Sequence, residues 1–436
     1  MLAPRFTSLA QWLNWQETLH PQAIDLGLER IQTVAKRLAL DKPSYIVITV
    51  GGTNGKGSCT AFLDAILRAS GYSVGAYTSP HLLRYNERIR INWIAVDDDT
   101  LCQAFARIDA ARDDLSLTYF EFATLAALDI FRARNVEVAL LEVGLGGRLD
   151  AVNLLDTDVA VITSIGIDHS EWLGPDRESI GYEKAGIFRR DRPAICADPM
   201  PPTSLVTQAY SLSARLYQVN SDYGFYRNTT HWNWWYGNTR LQPLPLPTLT
   251  GDHQLANAAA ALMALTTLQT RLPVYPEAVY RGLTAAYLPG RFQIIPGPVE
   301  WILDVTHNAH GATALAHTLA TRPCSGVTRV VLGMLKDKDA ASVAHLLDSA
   351  VHCWYTATLQ GSRGQSGEQL ATILKTATVK GEITPFSSVA DACCAARQEA
   401  TRGDRILICG SFSTVAEAMI FIGCDGDPSY SQHCEG

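Results

Sequence analysis

The stretch GGTNGKGS, Gly51 to Ser58, gathers the residue types that hold a phosphate: glycines, one lysine and one hydroxyl. Glycines let backbone N–H groups approach an anion closely, Lys56 brings a positive charge, and Ser58 offers an oxygen to a metal ion or a phosphate. The spacing departs from the common phosphate loop, in which Gly-Lys is followed at once by Ser or Thr; here Gly57 stands between Lys56 and Ser58. A bare strand-to-helix turn would also use these glycines. The lysine and serine inside the loop favour the cradle.

Three more apolar runs end in groups of different chemistry. SVGAYTSPHL carries Ser79, VEVALLEVGLGGRLDA carries Glu142, and DVAVITSIGIDHSEWLG carries Asp168 and His169. Ligands of open α/β sheets gather beyond the carboxyl ends of the parallel strands, so these runs would deliver a hydroxyl, a carboxylate and an imidazole to one edge. Singly they read as a turn serine, a strand-end acid and a loop histidine. Together they suggest a divalent cation beside the phosphates. Magnesium prefers oxygen ligands, which suits Ser79 and Glu142 and makes His169 an unusual partner. Lys184, in ESIGYEKAGIFRR, reads by periodicity as a solvated helix lysine. Asp304, His307 and Asn308, in WILDVTHNAHG, fall just past a strand and form either a catalytic pair or a turn with a capping Asp. Ser411 stands where another strand meets a helix.

The elements that must position these groups alternate along the chain. Helical spacing of Ile24, Leu28, Ile31, Val34 and Leu38 predicts a helix over 22–40. Apolar runs at 45–50, 73–77, 136–143 and 158–165, with helical stretches near 58–70, 99–111 and 121–134, predict a parallel sheet covered on both faces. The aromatic, turn-rich segment 221–247 predicts a small antiparallel β excursion, followed by a helix over 255–269. LPGRFQIIPGPVE, 288–300, is rich in Pro and Gly and makes the best domain boundary. Strands near 300–305, 328–333, 353–357 and 405–409 then alternate with helices near 311–320, 340–350, 367–376 and 388–400, a second α/β domain.

A chain of 436 residues exceeds one ordinary core, which fits two domains. A net charge of −7 excludes a general nucleic-acid binder, so an anionic ligand must be held by local groups. The ten cysteines include no Cys-x-x-Cys pair, which signals neither zinc nor a redox dithiol. They read as reduced, mostly buried thiols of a cytoplasmic protein. The amino-terminal MLAPRFTSLAQWLNWQETLH interrupts its apolar residues with Gln, Asn and Glu, unlike a secretory leader or a membrane span.

GGTNGKGS, TSPHLLRYNERIRI, LEVGLGGRLDAVN, DHSEWLG, EKAGIFR, LPGRFQ, LDVTHNAH and GSFSTV, in this order, resemble the folylpolyglutamate synthases across almost the whole chain. The resemblance is to the bacterial bifunctional dihydrofolate synthase/folylpolyglutamate synthase type within the Mur ligase superfamily, whose ATP loop has this shifted spacing. It implies a P-loop-type ATPase domain over 1–288, a linker over 289–298 and a Rossmann-like glutamate-binding domain over 299–436. It also implies an ATP-dependent amide ligase that adds L-glutamate to dihydropteroate and to reduced folates through an acyl phosphate. On that resemblance Thr53, Asn54, Gly55, Lys56, Gly57 and Ser58 would hold the ATP phosphates, with Asn257, Arg291 and Asp304 also on the nucleotide. Ser58, Ser79, Glu142, His169 and an N6-carboxylated Lys184 would bind magnesium, two ions in all, with potassium as a further cation. His307 and Ser411 would lie near the incoming glutamate. Pterin contacts would come from Asp25, Leu26, Gly27 and Leu28, from Thr118, Tyr119, Phe120 and Glu121, and from Leu149, Asp150 and Ala151. Lys56, Lys184, Asp304 and His307 would be the catalytic residues. Thr306 stands where many members of the family carry Ala. A monomer with small-molecule partners and no membrane or nucleic acid is implied.

Three other readings compete. A cell-wall precursor ligase would carry about a hundred further residues before its glycine loop. A nucleotide-gated switch would have no use for Asp304, His307 and Ser411. A monofunctional folylpolyglutamate synthase would share the same motifs and differ in its acceptor.

Overall fold

The carboxyl ends of three neighbouring strands carry the glycine loop, Glu142 and the loop that bears Asp168 and His169. In the computed structural model, which describes residues 4–424, β1 (Ile46–Gly51) lies between β5 (Val138–Glu142) and β6 (Val159–Ile162), all parallel. Val50 pairs with Glu142 and Gly51 with Ile162, so the glycine loop, Glu142 and the 163–169 loop leave the sheet at one edge. The sheet continues through β2 (Val74–Tyr77), β3 (Ile89–Ile91) and β4 (Ile94–Ala95) on one side, and through β7 (Pro193–Cys196) and β8 (Arg215–Gln218) on the other. Its order is β4-β3-β2-β5-β1-β6-β7-β8, with every pairing parallel except β2–β3 and β3–β4, so that β3 alone runs against the others.

These strands form because IVITV, VALLE and VAVI are apolar apart from Thr49 and the terminal Glu142 and nearly every side chain is buried, as a sheet covered on both faces requires. The helices that accompany them are α1 (Leu9–Leu19), α2 (Glu29–Arg37), α3 (Lys56–Ala69), α4 (Asp98–Arg112), α5 (Tyr119–Ala133), α6 (Ser170–Leu173), α7 (Arg177–Ala185), α8 (Thr203–Ser211), α9 (Asp252–Thr267) and α10 (Pro276–Ala285). Both α3 and α5 are buried all round over their middle turns, from Ser58 to Leu67 and from Glu121 to Phe131. The helix expected over 22–40 begins only at Glu29. Before it, the Asp25 carboxylate takes Arg30 at 2.6 Å and His20 at 3.1 Å and holds residues 22–28 out of helical conformation. The amino-terminal stretch forms α1, closed by a Ser8–Gln11 capping box and anchored by the buried Trp12.

Residues 221–247 form a three-stranded antiparallel sheet: β9 (Tyr223–Arg227), β10 (His231–Tyr236) and β11 (Thr239–Pro245). Its buried Trp234 donates its indole N–H to the Ala259 carbonyl of α9 at 3.2 Å.

A second sheet contains β12 (Gln293–Ile295), β13 (Glu300–Leu303), β14 (Thr328–Leu332), β15 (Cys353–Ala357), β16 (Glu382–Phe386) and β17 (Arg405–Cys409). Its order is β12-β13-β17-β14-β15-β16, parallel but for β12. With it go α11 (Ala309–Ala320), α12 (Ala340–Leu347), α13 (Gly367–Thr376), α14 (Val389–Glu399) and α15 (Phe412–Ile422). Strand β12 falls within 289–298, where only a linker is expected from the sequence. The chain divides into two compact units, one formed up to Thr248 and by Gln254–Ala286, the other by Leu249–His253 and from Tyr287 onward.

The nine cysteines among the described residues are free thiols, four of them buried, so burial is less general than the sequence suggests; Cys434 lies outside the described residues. No helix among the described residues is long and apolar enough to cross a membrane.

Candidate active site

The loop from β1 to α3 needs its glycines for conformation and for space. Gly52 has φ 139° and Gly55 φ 87°, and a Cβ at either would collide, at Gly52 with the Thr163 hydroxyl and at Gly55 with the Asn257 amide. The loop is fixed from outside: Thr53 N donates to Ser164 O at 2.7 Å, Thr53 Oγ1 to Gly166 O at 3.0 Å, and Thr163 Oγ1 to Asn54 O at 2.6 Å. Gly55 is the N-cap of α3 and has no side chain to occupy the first-turn N–H groups. The amides of residues 56–58, with the positive end of the helix dipole, are therefore presented to an anion. Ser58 is buried in this first turn.

Two lysines meet on one carbonyl. Lys56 Nζ donates to Gly52 O and Thr53 O, both at 3.2 Å, and Lys184 Nζ donates to the same Gly52 O at 2.9 Å. Lys184 is buried, which corrects the solvated lysine that periodicity suggests. The cause is tertiary: α7 lies so close to Gly147 that a Cβ there would stand 2.9 Å from the carbonyl oxygens of Glu183 and Lys184. Arg148 N also donates to Glu183 O at 2.8 Å. Burial, and then the charge of Lys56, bring the Lys184 pKa down to about 7, against the pull of Asp168 and Asp150.

Glu142, buried at the end of β5, accepts a long hydrogen bond from Ser79 N at 3.4 Å. Its charge also reaches the first turn of α3, where the Cys59 thiol is pushed up to about 12 by burial and then by Glu142. Ser79, Glu142 and the start of α3 are thus brought together, an oxygen-rich set that fits a hard cation. No group of three or more His, Cys, Asp or Glu that could hold a metal occurs among the described residues, so such an ion would lean on hydroxyls, phosphate and water beside Glu142. His169 is the N-cap of α6 at φ 52°, its side chain 39% exposed and its Nε2 3.9 Å from the Asp168 carboxylate.

The three stretches expected to contact a pterin are linked. Thr118 and Glu121 close a capping box on α5, Thr118 N donating to Glu121 Oε2 at 2.8 Å. Arg30 joins this box to Asp25 through contacts of 3.4 Å to Glu121 and 2.6 Å to Asp25, which places Leu26, Gly27 and Leu28 beside it. The Phe120 ring lies on the Gly144 backbone, where a Cβ would come within 2.5 Å of it, and 5.7 Å from the Tyr77 ring. Asp150 accepts from Leu145 N at 2.8 Å and Val152 N at 3.0 Å, tying Leu149 and Ala151 to the same loop. Burial raises the Asp150 pKa to about 6 despite these bonds. Beside Tyr119 the structure adds Arg88, whose guanidinium stands 5.5 Å from that ring, a residue that its motif alone does not single out.

In the second unit, Asp304 spends both carboxylate oxygens on backbone, accepting from Phe292 N at 2.8 Å and Thr306 N at 2.9 Å. His307 Nδ1 lies 2.9 Å from Val305 O. The Phe412 ring, missed in the sequence because it follows Ser411 inside a helix start, gathers the others. Arg291 stacks over it at 5.0 Å, and His307 lies 6.3 Å away. Ser411 caps α15, accepting from Thr414 N at 3.0 Å. Asn308 caps α11.

Comparison with known proteins adds the following. The model of the Mur ligase middle domain matches residues 50–265, and that of the Mur ligase glutamate ligase domain matches residues 290–412. A protein of Escherichia coli (strain K12) named dihydrofolate synthase/folylpolyglutamate synthase is 46% identical over 411 residues, 94% of each chain. The structure of E. coli FolC in complex with DHPP and ADP superposes with a TM-score of 0.92 at 45% identity, covering 97% of this chain and 99% of that one. A bifunctional folylpolyglutamate synthase/dihydrofolate synthase solved with Mn, AMPPNP and L-glutamate gives 0.89 at 46% identity, covering 97% and 100%.

Proposed function

Because the chain belongs to the dihydrofolate synthase/folylpolyglutamate synthase family of Mur ligases, we propose that it ligates L-glutamate to dihydropteroate and to the glutamate tail of reduced folates at the expense of ATP. The acceptor carboxylate attacks the γ-phosphorus of ATP, ADP leaves, and the glutamate amine displaces phosphate from the acyl phosphate. The observation that best supports this reading is the uncapped start of α3 with Lys56 and Lys184 on one carbonyl, a concentration of donors and charge fit for a polyphosphate.

Displacement at phosphorus needs charge neutralisation and in-line placement more than covalent help. We assign the first task to Lys56 and the amides of Thr53–Ser58, with Asn257 packed on Gly55 to keep the loop in shape. A divalent ion, when bound, supplies further charge neutralisation at the phosphates; Ser58, Ser79 and Glu142 offer it oxygens, and His169 is assigned beside them. Carboxylation of Lys184 would exchange the second of two cations on Gly52 O for an anion able to hold another ion. Arg291 and Asp304 are assigned to the nucleotide, and His307 and Ser411 to glutamate. The division at 1–288, 289–298 and 299–436 is likewise our assignment, as is a cytoplasmic monomer.

Purified protein with ATP, Mg2+ and L-glutamate, given dihydropteroate and tetrahydrofolate separately, tests the function. ADP release that depends on both glutamate and acceptor is expected with each. Glutamate-independent ATP hydrolysis alone would instead favour a nucleotide switch.

A further inference from the structure

Arg88 ends the short 3₁₀ turn Tyr85–Arg88, on the loop that leaves Ser79. Its guanidinium lies 5.4 Å from the Tyr85 ring and 5.5 Å from the Tyr119 ring, and its Nε donates to His81 Nδ1 at 2.9 Å. Its own carbonyl accepts from Thr78 N at 2.9 Å, which fixes it beside the Ser79 backbone. Half-buried as it is, it makes no ion pair among the described residues. The adjacent Glu87 is committed elsewhere, its carboxylate accepting from the N–H groups of Leu82, Leu83 and Arg84 at 2.7 to 2.9 Å. Of the other half-buried arginines of this unit, Arg30 has Asp25, Arg112 has Asp109 and Arg189 has Asp156, whereas the neighbouring Arg90 lies over the Trp93 ring at 4.7 Å and, like Arg88, makes no ion pair among the described residues.

A partly desolvated guanidinium held by two aromatic faces and one nitrogen keeps its two terminal nitrogens for a carboxylate, the planar ligand that its fork matches best. Tyr119 adjoins Phe120, whose ring rests on Gly144, two residues beyond Glu142. The guanidinium thus borders the candidate acceptor stretch at Tyr119, while the Arg88 backbone is tied to Thr78, next to Ser79 of the candidate metal set. Dihydropteroate carries one carboxylate, which the reaction activates and which cannot also serve as an anchor. A folate carries two on its terminal glutamate, and only the γ-carboxylate is activated.

We propose that Arg88 binds the α-carboxylate of the folate acceptor's terminal glutamate and so sets the preference for folate over dihydropteroate. This rests on the ligase reading above. Arg88→Met keeps the stem between the two tyrosines, and Arg88→Lys keeps the charge without the fork.

In both variants KM for tetrahydrofolate is expected to rise at least about tenfold, the usual loss for a charge-assisted pair, with kcat changing less. The ratio of kcat/KM for tetrahydrofolate to that for dihydropteroate should fall by a similar factor. Turnover of dihydropteroate also reports that each variant is folded. Equal losses on both acceptors, no loss on either, or a loss confined to dihydropteroate would overturn the assignment. If Arg88→Met does not fold, the Arg88→Lys ratio decides alone. Wild-type protein that releases no ADP with either acceptor would instead refute the ligase reading itself.

Discussion

At the scale of single residues, the site is read best where chemistry is written into the chain and worst where burial decides. Lys56 and Ser58 are legible because a glycine loop between strand and helix has few other uses. Lys184 is not, since nothing local distinguishes it from a solvated helix lysine; only the approach of α7 to Gly147 buries it and turns it to Gly52. Glu142→Gln and Lys56→Ala should each lower kcat by a factor of hundreds with both acceptors, about 3–4 kcal/mol of transition-state stabilisation, while circular dichroism stays unchanged. Near-normal turnover by folded Glu142→Gln would remove Glu142 from the metal site. For Lys184 the expected state in active enzyme is the carbamate. A carbamate forms from the neutral amine, and burial beside Lys56 disfavours the ammonium form. Extra density beyond Nζ in an ATP-bound crystal grown with bicarbonate is the expected sign; a bare ammonium at full occupancy would refute it.

At the scale of elements, periodicity located the helices that carry one apolar face and misjudged those whose ends are set by polar contacts. The 22–40 pattern has apolar residues at helical spacing throughout, yet Asp25 in its first third bonds Arg30 and His20, and the helix waits until Glu29. Helix α3 shows the converse, a phosphate-loop helix buried on every side with Asp64 inside it. That carboxylate takes Arg68 at 2.5 Å through Oδ2, while Oδ1 is buried without a hydrogen-bond partner. Burial is the larger effect and lifts the Asp64 pKa from 3.8 to about 6, against the pull of Arg68. The folded state therefore holds its proton to higher pH than the unfolded chain does. Stability from this group is greatest below pH 4 and is lost as pH rises through 6. Asp64→Asn should flatten that slope, gaining roughly 3 kcal/mol at pH 8 relative to its own effect at pH 3.5, because each tenfold change in proton affinity between the two states is worth about 1.4 kcal/mol. Urea melts at the two pH values measure it. Equal effects at both would show that folding does not raise the Asp64 pKa.

At the scale of the whole molecule, alternating apolar runs and helices foretold parallel sheets, because a strand buried on both faces has to be apolar at nearly every position. Short edge strands such as β12 and β16 escaped because they are partly exposed and alternate too briefly to register. What the chain does as a whole turns on whether one site serves two acceptors, and the placement of Phe120 gives that question a test. Its ring covers the backbone at Gly144 and faces Tyr77, a flat apolar surface fit for a pterin, close to the strand end that carries Glu142. Dihydropteroate reaches the phosphate only through its aminobenzoate carboxylate, so its pose depends wholly on pterin contacts. A folate has a further glutamate to anchor it and can reach the same phosphate in another pose. Phe120→Ala should therefore lower kcat/KM for dihydropteroate more than for tetrahydrofolate, the reverse of the change expected at Arg88. Lys56→Ala should lower both alike, since activation by ATP is common to them. Measuring the two kcat/KM values in each variant separates acceptor recognition from activation. If Phe120→Ala shifts both by one factor, or neither, the ring is packing for α5 and the acceptors are told apart elsewhere.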